Sequence, residues 1–91
     1  MGQVTQAIRD KLTAAFQPVR LEVVDDSARH AGHAGGRDGG ESHFNVVIVS
    51  GAFSGQGRVQ RQRAVYSALS EELAGPVHAL SVKAFAPDEQ A

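Results

Sequence analysis

The chain contains no cysteine. Disulfide stapling is thereby excluded, together with thiolate metal ligands and cysteine nucleophiles, so a metal would have to be held by the four histidines or by carboxylates. Aromatic residues are scarce, at 5% of the chain, which leaves little surface on which nucleic-acid bases could stack. There is no excess of positive charge either. Nine Lys and Arg stand against ten Asp and Glu, for a formal net charge of −1, so any contact with nucleic acid has to come from a local cluster. No basic segment followed by an apolar run opens the sequence, so secretion is unsupported, no membrane association is expected, and the cytoplasm is the expected location. The opening Met1-Gly2-Gln3-Val4-Thr5-Gln6 starts like a myristoylation signal but carries Gln6 where Ser or Thr is needed.

What remains is an ordinary globular composition, 42% hydrophobic and 21% charged, in 91 residues. That length supports one small domain over residues 1–91, with a core spanning about 4–85 and no room for a second core. Such a domain buries only a little over ~60% of its extended-chain surface, and domains of this size often gain from a metal or a partner.

Apolar residues Val4, Ala7, Ile8, Leu12, Ala15 and Phe16 recur at helical steps until Pro18 forbids continuation. Leu21 and Val23 alternate with Glu22 and Val24 in a short strand over Arg20–Asp25. Phe44, Val46 and Ile48 alternate with Asn45, Val47 and Val49, and this β-branched run over His43–Ser50 reads as a well-covered strand. After a turn region at Gly51–Gly57, residues Arg58–Ala74 read as a helix with the stripe Val59, Tyr66, Leu69 and Leu73, interrupted by Gln62. Gly75, suited to a left-handed C-terminal position, and Pro76 mark its end. A last strand is expected from near Val77 to Phe85, with His78, Leu80 and Val82 on one side, and a frayed tail over 87–91. The economical arrangement is α+β: a three-stranded mixed sheet with helices on one face, its first two strands antiparallel and its last two joined by a parallel helical crossover.

The segment Asp26–Glu41 holds Gly32, Gly35, Gly36, Gly39 and Gly40, half of the ten glycines, and no regular element survives that composition. A loop of this length in a small domain is either mobile filler or functional, and the residues it holds favour function. It carries Arg29, His30 and His33. The spacing His30-Ala31-Gly32-His33 suits two ligands, although a closed zinc site needs two more donors, and solvated loop histidines are at least as common. His43, at the head of its strand, is assigned a structural role, tying down the exit of the loop. Arg58, Arg61 and Arg63 gather at the start of the long helix, where positive charge opposes the helix dipole; they mark either a binding surface for carboxylates or phosphate or the solvated face of a surface helix.

Four stretches together resemble the BolA family: Phe16-Gln17-Pro18 with Leu21-Glu22-Val23; Asp25-Asp26-Ser27 with His30 behind it; Gly40-Glu41-Ser42-His43-Phe44; and Pro76-Val77-His78-Ala79-Leu80. The likeness covers nearly the whole chain, from about Val4 to Phe85. It implies a helix-strand-strand-helix-helix-strand fold similar to the type II KH domain. It also implies partnership with a monothiol glutaredoxin and glutathione around a shared 2Fe-2S cluster, in iron-sulfur assembly or iron signalling. Some bacterial members are DNA-binding transcription regulators of stress response and cell morphology, which is the alternative reading. By the same resemblance His78 is a cluster ligand and His30 the second, with His33 as an alternative loop ligand. Where members often carry Arg-His-Arg, this chain has Arg61-Gln62-Arg63, so no role for a helix histidine transfers.

A KH-type RNA clamp needs Gly-x-x-Gly between two helices. A literal match, Gly36-Arg37-Asp38-Gly39, lies between two strands, and the helix junction reads Phe53-Ser54-Gly55-Gln56-Gly57-Arg58. No nucleophile elbow, phosphate loop or paired carboxylates appear, so an enzyme is not expected.

One imidazole-only chain can complete at most one iron of a 2Fe-2S centre, whose other ligands are normally thiolates. The isolated chain is therefore expected to be colourless and to hold no cofactor. Reconstitution with iron and sulfide followed by visible spectroscopy checks this, and a stable cluster on the chain alone would refute it.

Overall fold

The computed structural model describes residues 2–25 and 43–89. The glycine-rich loop, with Arg29, His30 and His33, lies outside the described residues. Helix α1 spans Gln3–Phe16 and buries Thr5, Ile8 and Leu12, one residue per turn on a single face. It ends at Gln17, whose left-handed φ of 47° returns its N–H to the Thr13 carbonyl at 2.9 Å, one residue before Pro18.

Strands β1 (Arg20–Asp25), β2 (His43–Val49) and β3 (Ala79–Phe85) form one sheet in the order β1-β2-β3. β1 pairs antiparallel with β2, Leu21 opposite Ile48, and β2 pairs parallel with β3, Val46 opposite Val82. One face presents Phe44, Val46, Ile48 and Val82 to the helices, and these join Ile8, Leu12, Phe53, Val65, Leu69 and Val77 in the core. On the other face Asn45, Ser81 and Lys83 are exposed. The α+β class, the mixed sheet and the three helices agree with the sequence reading.

The helical connection between β2 and β3 differs in detail. Gly51–Phe53 forms a single 3-10 turn, and the expected helix over 58–74 divides at Leu69 into α2 (Arg58–Ala68) and α3 (Ser70–Ala74). Leu69 is drawn into the core, 1% exposed, and its N–H is shared between the Val65 and Tyr66 carbonyls at 3.1 and 3.2 Å. The expected stripe is also corrected. Val59 is 61% exposed and Tyr66 38% exposed, whereas Val65 is fully buried. The reason is that the flank of α2 carrying Gln62 and Tyr66 lies over the edge of β3, where donors are needed rather than methyl groups.

Gly75 ends α3 without the left-handed conformation expected for it, at φ −116° and ψ −110°. The Glu72 carbonyl instead accepts both the Gly75 and Val77 N–H groups, at 3.2 and 2.9 Å, and this turns the chain toward β3. His78 lies just ahead of β3 rather than within it and is exposed. Among the described residues no helix is long and apolar enough to cross a membrane.

Ion pairs clamp the periphery. Lys11 of α1 reaches Glu71 at 2.6 Å and Glu72 at 2.8 Å on α3, which lowers the Glu71 pKa and raises that of Lys11, chiefly through their hydrogen bond. The expectation of a frayed tail is corrected over Pro87–Glu89, a 3-10 turn whose Glu89 pairs with Arg61 of α2. That hydrogen bond, with a second from the Ala86 N–H, holds the Glu89 carboxyl down to about 2. A carboxylate depressed in the folded state stabilises the fold above its unfolded pKa and loses that contribution as pH falls through the folded value. Glu89→Gln should therefore lower the thermal midpoint at pH 7, and the gap from the unaltered chain should close between about pH 4.5 and 2. Paired thermal melts across that range check this; a gap that is constant with pH would remove the carboxylate from the account.

Candidate functional site

Because β2 and β3 run parallel, both begin at the same end of the sheet. His43 heads β2 opposite Ala79, the first residue of β3, and His78 immediately precedes Ala79. The two imidazoles consequently meet, with ring centroids 5.4 Å apart and planes inclined by 59°. His78 is exposed and His43 half-buried. The backbone turn at Glu72 and the start of the β3 ladder hold the His78 main chain from both sides.

With metal–nitrogen bonds of about 2.0–2.1 Å, two imidazoles on one tetrahedral ion have ring centres about 5 Å apart. The separation of the two rings is close to that spacing. Among the described residues no three His, Asp or Glu side chains converge as a metal site. His43 and His78 could hold one iron of a 2Fe-2S cluster from one side, as the two imidazoles of a Rieske centre do.

The structural role given to His43 did not anticipate this juxtaposition. The signal was present in the sequence, since a parallel crossover between β2 and β3 places both strand starts together. His30 and His33 belong to the loop outside the described residues, so their position relative to His78 is not described.

The three arginines of α2 do not form one face. At 100° per residue Arg58 and Arg61 share a flank, while Arg63 points well away from Arg61. Arg58 and Arg63 are exposed. Arg61 is committed to the fold: Nε donates to the Gln56 carbonyl at 2.9 Å, Nη1 to the Ala84 carbonyl at 3.1 Å, and Nη2 to Glu89 at 2.9 Å. Its side chain retains 12% exposure. Along the same flank Gln62 Nε2 donates to the Val82 carbonyl at 2.7 Å and Tyr66 Oη to the Leu80 carbonyl at 3.2 Å. Sequence reasoning treated Gln62 as a fault in an apolar stripe, because helix periodicity alone cannot show that the neighbouring surface is a strand edge.

A second element missed in the sequence is Ser50, 1% exposed, just after β2. Its Oγ donates to the Phe16 carbonyl at 2.6 Å and accepts from the Ala52 N–H at 3.1 Å, while its own N–H donates to the Phe85 carbonyl at 2.9 Å. The ends of α1, β2 and β3 are thereby tied at the side of the sheet opposite His43 and His78.

The BolA-like protein family model matches residues 12–89. The chain is 50% identical over 82 residues to the DNA-binding transcriptional regulator BolA of Escherichia coli, covering 90% of this chain and 74% of that protein. It is 50% identical over 86 residues to mouse BolA-like protein 1, covering 94% of this chain and 60% of the relative, so the match spans only part of that longer protein. Among solved structures, the BolA domain of SufE1 from Arabidopsis thaliana superposes with a TM-score of 0.87 at 46% identity, over 99% of both chains. Motifs, fold and these matches agree: the chain belongs to the BolA family.

Proposed function

We propose that the chain acts in the cytoplasm as a non-enzymatic adaptor that binds a monothiol glutaredoxin and shares a 2Fe-2S cluster with it, in iron-sulfur assembly and trafficking or in iron sensing. The observation that carries this reading is the exposed His78 with a second imidazole 5.4 Å away, in a family member that has no thiolate of its own. Neutral imidazoles can serve one iron, and the remaining positions then fall to a partner cysteine and glutathione. His78 is the ligand held by the fold. The second donor, as the family resemblance implies, is His30 or His33 of the loop, and His43, whose ring lies 5.4 Å from that of His78, is the competing candidate.

Co-expression with a tagged monothiol glutaredoxin should yield a coloured complex. His78→Ala should abolish its visible spectrum, His30→Ala should weaken it, and His30→Ala with His33→Ala should match the loss of His78. A spectrum unchanged in His78→Ala rejects the ligand assignment. A cluster that survives both loop changes and disappears in His43→Ala makes His43 the second ligand.

The E. coli relative, named as a DNA-binding regulator, supports a second reading in which the exposed Arg58 and Arg63 contact phosphates. In that case DNA affinity should fall steeply with salt, and Arg58→Ala with Arg63→Ala should flatten the log–log slope by up to about 2. Filter binding over a salt series measures this, and a slope unaffected by the two changes excludes the surface.

A further inference from the structure

The flank of α2 and the outer edge of β3 enclose a groove of about 780 Å³ whose lining includes Gln56, Arg58, Arg61, Ser81, Lys83 and Glu89. Three cations face one anion there, in a chain whose formal charge is −1 overall. The single anion is bound in a particular way. Both terminal nitrogens of Arg61 donate to the Glu89 carboxylate, Nη2 at 2.9 Å, and the Ala86 N–H donates to Glu89 Oε1 at 3.0 Å. A guanidinium fork and a backbone N–H converging on one carboxylate form a recognition site for that group.

Arg61 has anchors besides Glu89. The Gln56 and Ala84 carbonyls hold the Arg61 guanidinium from the opposite side, and Ala86 is buried at the end of β3. Arg58 and Lys83 line the groove with the fork and are exposed, so the groove holds more positive charge than Glu89 and the neighbouring Asp88, which also acts on Arg61, neutralise.

We infer that this groove is a docking site for an acidic peptide segment, one carboxylate of which replaces Glu89 on the Arg61 fork and the Ala86 N–H while its neighbours reach Arg58 and Lys83. Glu89 is the intramolecular stand-in for that ligand. An acidic peptide is the occupant the fork selects, because the group already seated on Arg61 and the Ala86 N–H is a carboxylate. The inference is independent of the cluster reading: Ala84 is six residues along β3 from His78, about 20 Å away at strand rise.

The test uses the full chain and a fluorescein-labelled hexaglutamate peptide, followed by fluorescence anisotropy at constant ionic strength. Glu89→Gln should bind the peptide about tenfold more tightly than the unaltered chain, because the internal competitor loses its charge. Arg58→Ala with Lys83→Ala, two exposed positions, should remove binding in either background, and hexaglutamine should not bind. Equal affinity with and without the Glu89 carboxylate in folded protein would overturn the proposal, as would binding that survives loss of Arg58 and Lys83. Preferential binding of a duplex of equal charge, with the same dependence on these residues, would overturn the peptide assignment in favour of nucleic acid.

Discussion

Sealing the outer edge of β3 is the constraint on which the rest of this small domain depends. A parallel strand at the margin of a sheet turns alternate peptide groups away from its neighbour, and those carbonyls need donors. Here the Leu80, Val82 and Ala84 carbonyls receive Tyr66 Oη, Gln62 Nε2 and Arg61 Nη1, all from α2. The three bonds set the height and direction of α2 along β3, and with them the burial of Val65 and Leu69 against the sheet. They also explain why α2 has a weak apolar stripe: the helix is held as much by edge hydrogen bonds as by its hydrophobic side.

From that placement the two candidate surfaces separate. At one end of the sheet the parallel starts of β2 and β3 bring His43 and His78 together, with no helix interposed between the rings. At the other end Ser50 closes the ends of α1, β2 and β3, and Arg61 reaches past β3 to Glu89. One end therefore offers two adjacent imidazoles, and the other a guanidinium engaged with a carboxylate beside two exposed cations. The same helix serves both, since fixing α2 leaves the first end open and orients the fork at the second.

The charge distribution follows the same logic. Lys11 bridges α1 to Glu71 and Glu72 on α3, and Arg61 bridges α2 to the final turn. These pairs join elements far apart in sequence and consume charges that composition alone would count as free. The arginine cluster read from the sequence as one surface is accordingly divided, with Arg61 turned inward and Arg58 and Arg63 left at the solvent boundary.

The amino-acid sequence by itself determined the class of fold and the order of its elements, because helix and strand periodicity are local and the β-branched run at Val46–Val49 admits few alternatives. Resemblance to the BolA family, carried by Val77-His78-Ala79-Leu80, singled out His78, and the lack of cysteine excluded thiolate ligands from this chain. Only the tertiary structure decided that His43 faces His78, that Gln62 belongs on the sheet side of α2, that the helix breaks at Leu69, and that Glu89 is anchored rather than frayed. Each of these depends on a neighbour distant in sequence: a parallel strand start, an edge carbonyl, a core site for one leucine, and a guanidinium 28 residues away. Periodicity reports which side of an element is buried, but the chemistry required on that side is set by the surface it meets.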